Sequence, residues 1–126
     1  MAYLVDTDIL VDVSRGNPSA IAYVDRLGNN WSLSPMTALE LISGAKSRHE
    51  VELIDRLVEV YRTVPVNDST GKPAYELLKR YARSNGLRTF DSLIAATAIE
   101  TRYTLATRNR KHFSMIDDLS IEIPEY

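Results

Sequence analysis

The sequence predicts an α/β fold, a three-layer α/β/α sandwich around a central parallel sheet of about five strands. Three observations predict it. Short apolar runs alternate with longer stretches of helical periodicity, the pattern of a parallel sheet covered on both faces. The first apolar run, residues 2–5, stops at Asp6-Thr7-Asp8, placing an acid where a buried first strand ends. Cap-then-proline pairs, Asn17-Pro18 and Ser34-Pro35, mark helix starts directly after breaks in the pattern.

Each element has its own signal. Residues 3–6 read as the first strand and residues 8–14 as a short helix. Asn17-Pro18 opens a second helix, and Gly28 suits its stop. Residues 31–34 read as the second strand, and Ser34-Pro35 starts a helix reaching about residue 46. A further helix covers about 49–61, where Ile54, Leu57, Val58 and Tyr61 repeat at i, i+3, i+4 and i+7, with Leu53 and Val60 widening the stripe. That width makes the stripe a prospective contact surface for a partner or a second copy, or else simply a deeply buried helix face. Residues 63–66 form a third strand, Asp68 caps a helical region over 73–84, and Asn85-Gly86 ends it. Thr89 caps a helix over about 90–102. Residues 103–107 and 120–123 supply the fourth and fifth strands.

The 126 residues make one domain, 1–126, with no repeat, linker or low-complexity segment. Apolar residues are 44% and charged residues 25%, an ordinary globular composition that argues against disorder. The absence of cysteine excludes a disulfide framework, a zinc–thiolate centre and a thiol nucleophile. No apolar run approaches a membrane span and the first lacks a signal peptide's basic flank, so a cytoplasmic location is expected. A net charge of −2 argues against electrostatic coating of nucleic acid. Yet eleven of the fifteen basic residues are arginines, and Arg88, Arg108, Arg110 and Lys111 flank the acids of interest.

Three carboxylates carry the functional argument. Asp6 ends the first strand, Glu40 lies about one turn into the helix after the second, and Asp91 begins the helix before the fourth. Taken singly, Asp6 reads as a helix cap, Glu40 as a solvated edge residue, and Asp91 as an acid favoured by a helix dipole. In a parallel sandwich all three reach the same edge. Carboxylates about 4 Å apart repel by about 4 kcal/mol per pair at an effective dielectric near 20, so they stay ionised together only beside a cation. An all-oxygen ligand set favours Mg²⁺ or Mn²⁺ over zinc. Such an ion acidifies a bound water and offsets charge on a phosphate.

Four blocks then resemble the signatures of PIN-domain ribonucleases, specifically the VapC-like toxins of type II toxin–antitoxin pairs. They are Asp6-Thr7-Asp8-Ile9-Leu10, Ala38-Leu39-Glu40-Leu41, the run from Phe90-Asp91 to Ala98, and Thr107-Arg108-Asn109-Arg110-Lys111-His112-Phe113. They span nearly the whole chain in the family's order. The resemblance implies a Mg²⁺- or Mn²⁺-dependent endoribonuclease with Asp6, Glu40 and Asp91 as metal ligands and catalytic acids. It also implies an RNA substrate, a VapB-like antitoxin partner and a homodimer. Thr7 and Thr107 would orient the carboxylates, with Asp8 and Asn109 as further positioning residues. Arg88, Arg108, Arg110 and Lys111 would contact the RNA backbone. Asn109 departs from the pattern, since many members carry an acid there. A neutral amide weakens the case for a second metal and keeps open a catalytically weak or inactive partner protein. His112 reads as structural or as a surface residue, and His49 has no assigned role.

The expected reaction is in-line attack of water on an RNA phosphodiester, leaving a 5′-phosphate and a 3′-hydroxyl. Two other acidic α/β folds fit less well. A haloacid-dehalogenase-type phosphatase shares Asp6-Thr7-Asp8, but Leu10 stands where Thr or Val is expected and Asp117-Asp118 comes too late in the chain. A response-regulator receiver needs an acid after the third strand, where Thr63-Val64-Pro65-Val66-Asn67 offers none.

Overall fold

The computed structural model describes residues 2–126. Its elements are β1 (Tyr3–Val5), α1 (Thr7–Ser14), α2 (Pro18–Leu27), β2 (Trp31–Leu33), α3 (Pro35–Gly44), α4 (Arg48–Val60), β3 (Arg62–Thr63), α5 (Gly71–Asn85), α6 (Thr89–Thr101), β4 (Thr104–Ala106), α7 (Arg110–Phe113) and β5 (Ile121–Glu122). The five strands form one sheet in the order β3-β2-β1-β4-β5, and every neighbouring pair is parallel. The expected α/β/α sandwich is therefore present. Its strands are shorter than the runs that predict them: two or three residues of four runs enter the ladder, and β3 is Arg62–Thr63, so of the expected 63–66 only Thr63 does.

Alternation along the strands sorts side chains between two cores. Val5, Trp31, Leu33 and Ala106 face one side, where they meet Ile9 and Leu10 of α1, Tyr23, Val24 and Leu27 of α2, Leu41 of α3 and Ile54 of α4. Leu4 and Leu105 face the other, with Leu87, Phe113, Ile116, Leu119 and the Ile94, Ala95 and Ala98 positions of α6. Small residues on α6 let it lie close to its neighbours, and most of its middle is buried, Asp91 included.

The helix starts follow local chemistry. Asp6, Asn17, Ser34, Ser47 and Asn109 each accept a backbone N–H of the helix they precede, and Pro18 and Pro35 occupy the first helical position. Two expected caps differ. Thr70, not Asp68, precedes α5, and Arg88, not Thr89, precedes α6. In the first case the Thr70 hydroxyl turns back to accept the Asn67 N–H at 3.0 Å. In the second, Asp91 accepts the Arg88 backbone N–H at 3.3 Å, so the helix is capped from within. Gly86 ends α5 at φ +73°, in the left-handed region that favours glycine, and a Cβ there would stand 3.7 Å from His112 Nε2.

The apolar stripe of α4 is spent mostly inside the molecule. Ile54 is buried, Leu57, Val58 and Tyr61 pack on the first core, and Tyr61 stacks on Trp31 with ring centroids 3.8 Å apart. Val60 alone of the stripe stands open, at 73% exposure. The burial alternative for this stripe is the one the packing favours.

Candidate active site

The strand order reverses direction at β1. The chain builds outward through β2 and β3, then returns to place β4 on the other side of β1. The crevice beyond the carboxyl ends of β1 and β4 is thus a topological switch point, the place where open α/β sheets bind ligands. Asp6 follows β1 and Thr107 follows β4, one at each lip.

Asp6 is 5% exposed, and neutral dipoles hold both of its oxygens. Oδ1 accepts the Thr7 N–H at 2.8 Å, and Oδ2 accepts the Thr107 hydroxyl at 2.7 Å. Asp6 is therefore a helix cap that also stands at the switch point. Burial above all, then the negative charge of Asp8, pushes its carboxyl up to about 7, with Asp91 adding to the same effect. Asp8 lies beside it, accepting the N–H groups of Ile9 at 2.8 Å and Arg108 at 3.0 Å, and burial raises its carboxyl too.

Glu40 comes to the same edge from α3. Its Oε1 accepts the Thr7 hydroxyl at 2.7 Å, and Thr7 Oγ1 is 3.0 Å from Thr37 Oγ1, one turn before Glu40 on α3. Thr7 thus gives its backbone N–H to Asp6 and its hydroxyl to Glu40, tying β1 to α3. Thr37, fully buried, is a positioning residue that sequence reasoning passed over. Its i, i+3 spacing to Glu40 was the signal available.

Asp91, 2% exposed in the first turn of α6, has a different environment. The Arg88 guanidinium reaches Oδ2 through Nε at 3.1 Å and Oδ1 through Nη2 at 3.4 Å. His112 Nδ1 lies 3.0 Å from Oδ2. Asp91 strengthens the positive charge of Arg88 most, and Glu40 and Asp6 add to it, so all three acids act on one guanidinium. Asn109 donates its backbone N–H to Thr107 Oγ1 at 3.0 Å, accepts the His112 backbone N–H through Oδ1 at 3.2 Å, and sets Nδ2 2.8 Å from His112 Nδ1. One ring nitrogen offers one proton or one lone pair, so His112 Nδ1 serves Asn109 or Asp91 but not both.

His112 therefore touches one of the three expected site acids, Asp91, through Nδ1. The clue was its place three residues after the cap Asn109; the contact itself needs α6 and the β4–α7 turn to meet. Of the basic residues, Arg88 lies on Asp91. Arg108 pairs with Asp12 at 3.1 Å and sits over the Tyr126 ring at 4.4 Å. Arg110 and Lys111 are exposed on α7.

The structure brings Asp6, Glu40 and Asp91 to one edge without closing them into a cage. Among the described residues, no three His, Cys, Asp or Glu side chains are gathered closely enough to hold a metal ion as they stand. Asp91 turns to Arg88 and His112, and Glu40 to Thr7. The donor chemistry nonetheless fits a hard divalent cation. Asp6, Glu40 and Asp91 offer carboxylate oxygens, and among the described residues no cationic side chain is hydrogen-bonded to Asp6.

A buried carboxylate cluster at a β1/β4 switch point defines the class: an acid-site α/β domain. A family model described as PIN domain matches residues 3–119. The chain belongs to the PIN domain family. It is 33% identical over 120 residues to Ribonuclease VapC19 of Mycobacterium tuberculosis (strain ATCC 25618 / H37Rv), covering 92% of this chain and 95% of that one. It is 34% identical over 119 residues to Ribonuclease VapC10 of the same strain, covering 92% and 89%. Among solved structures, a toxin–antitoxin complex from Klebsiella pneumoniae superposes with TM-score 0.82 at 25% identity, covering 98% of both chains. VapBC-1 from nontypeable Haemophilus influenzae superposes with TM-score 0.80 at 25% identity over the whole of both chains. No helix among the described residues is long and apolar enough to cross a membrane.

Proposed function

We propose that this chain is a Mg²⁺- or Mn²⁺-dependent endoribonuclease, the toxin half of a VapBC-type pair, which arrests growth until a VapB-like antitoxin neutralises it. The carrying observation is the trio Asp6, Glu40 and Asp91 at the switch point, with Thr7 and Thr107 hydroxyls fixing two of the three carboxylates. The names of its relatives, ribonucleases and toxin–antitoxin complexes, support an RNA substrate and an antitoxin partner. Asp6, Glu40 and Asp91 would hold the ion, which when bound lowers the pKa of a water and offsets charge on the scissile phosphate.

The chain's own residues prepare that chemistry. Thr107 and Thr7 keep the Asp6 oxygens in place, so little reorganisation remains when a cation arrives. Arg110 and Lys111, exposed one turn beyond the site, face the path of an anionic backbone. Leu39 and Ile42 on α3, exposed on either side of Glu40 in sequence, suit an apolar partner segment that would cover the site. A homodimer fits the same family reading.

The test is cleavage of total bacterial RNA by antitoxin-free protein, with Mg²⁺ or Mn²⁺ and with EDTA, beside Asp6→Asn. Metal-dependent cuts with 5′-phosphate ends, lost in the variant, are expected. Cuts bearing 2′,3′-cyclic phosphate would replace the hydrolytic mechanism with attack by the 2′-hydroxyl. A second reading, a PIN-fold partner without catalysis, draws on Asn109, which spends both amide atoms on His112. Metal binding with no cutting under either ion would favour it.

A further inference from the structure

Both carboxylate oxygens of Asp91 already have neighbours, with three contacts on Oδ2 and one on Oδ1. Arg88 contributes three: its backbone N–H at 3.3 Å and Nε at 3.1 Å on Oδ2, and Nη2 at 3.4 Å on Oδ1. His112 Nδ1 contributes the fourth at 3.0 Å on Oδ2. An ionised carboxylate has about two lone-pair sites on each oxygen, so Oδ2 is crowded, and a cation approaching the less occupied Oδ1 meets the like charge of the guanidinium whose Nη2 already rests on it. The His112 contact is the weaker hold, because Asn109 Nδ2 competes for the same ring nitrogen. Arg88 is the stronger one, a fork on both oxygens.

We propose that Arg88 is a resident counter-ion which competes with the divalent cation for Asp91, so that metal loading requires its guanidinium to leave the carboxylate. This rests on the reading of Asp91 as a metal ligand and adds the step that precedes ligation. The geometry makes the exchange inexpensive. The Arg88 side chain is 64% exposed while that of Asp91 is 3% exposed, so the guanidinium swings into water and the carboxylate stays. Helix α6 does not unravel when it does so. The Arg88 backbone N–H remains on Asp91 and the Ser92 N–H remains on the Arg88 carbonyl at 3.0 Å. A divalent ion carries twice the charge of a guanidinium and acts on the same three acids that act on Arg88. Arg88 thereby keeps the carboxylate edge partly neutralised until metal arrives.

The experiment is calorimetric titration of metal-free, full-length protein with Mn²⁺, at an ionic strength that screens distant charges. Wild type is compared with Arg88→Gln, Arg88→Lys, Arg110→Gln and Asp91→Asn, each first shown to be folded by circular dichroism. A half-exposed ion pair is worth up to about 1 kcal/mol, so Arg88→Gln is expected to bind Mn²⁺ roughly fivefold tighter than wild type. Arg88→Lys, which keeps the charge and loses the fork, should fall between them. Arg110→Gln removes the same charge from α7 and should change the affinity by less than half as much. Arg88→Gln binding no tighter than wild type overturns the proposal, as does Arg110→Gln matching it. If wild type binds Mn²⁺ and Asp91→Asn does not, either failure removes only the role given to Arg88. If neither wild type nor Arg88→Gln binds above the Asp91→Asn background, the metal reading falls and the proposal with it.

Discussion

Asp6 and Asp91 are both buried on the same sheet edge, and their neighbours could hardly differ more. Asp6 is surrounded by neutral donors, a backbone amide and a threonine hydroxyl. Asp91 is surrounded by groups that carry or can carry positive charge, Arg88 and His112. Dipoles orient a carboxylate without cancelling its charge, whereas a guanidinium cancels it and occupies its lone pairs. On the proposed metal reading, the Asp6 side of the site has no resident cation on its oxygens. The Asp91 side has one in residence.

The largest expected effect comes from removing the waiting charge. Asp6→Asn keeps the size of the side chain and an acceptor for the Thr7 N–H, but should cut RNA cleavage by more than about 100-fold, beyond what loss of an orienting partner costs. Initial rates on a defined cleavable RNA measure it, and activity within tenfold of wild type would break the distinction between the two acids. Next is Thr107→Val, which leaves the charge and removes its orientation. Metal affinity or activity is expected to fall by about 10- to 100-fold, read as a rise in the Mn²⁺ concentration needed for half-maximal rate.

A third expectation concerns pH. The carboxyl of Asp6 stands at about 7 against an ordinary 3.8, so the folded protein holds that proton more tightly than the unfolded chain does. Its contribution to stability is complete below the lower value and drains away as pH rises through the upper one. Asp8 is shifted in the same direction. Metal-free protein should therefore melt several degrees lower at about pH 8 than at about pH 5.5. Asp6→Asn should flatten that slope, and saturating Mg²⁺ should restore stability at the alkaline end. A melting temperature that climbs over this range contradicts the environment assigned to Asp6. The smallest effect is on the Asp91 side. Gly86→Ala forces a left-handed residue beside His112 and should cost about 1–2 kcal/mol in a denaturant melt, with cleavage changed less than in Thr107→Val.

These two acids also mark how far the sequence could be read. Asp6 was legible because an apolar run ends on it, and a strand's end is a local event. Asn17-Pro18 and Ser34-Pro35 located their helices for the same reason, since caps act within one turn. The order of the strands was not legible, because alternation announces a parallel sheet without saying which strand lies beside which. Arg88 was read as a rim residue although its i, i+3 spacing to Asp91 was in plain view; local spacing permits the pair, and only packing selects it over solvent. The contacts of His112 with Asp91 and of Thr7 with Glu40 join residues 21 and 33 positions apart. No periodicity reports such meetings.

The bond between Thr107 and Asp6 joins residues 101 positions apart and bridges β4 to β1. A contact of that range closes a long loop, at a cost in chain entropy that a local helix cap does not carry. On the ribosome, Asp6 emerges early and lacks its partner until residue 107 has cleared the exit tunnel. A chain made only as far as β3 thus presents one unfinished lip of the crevice, with Asp6 held by the Thr7 N–H alone.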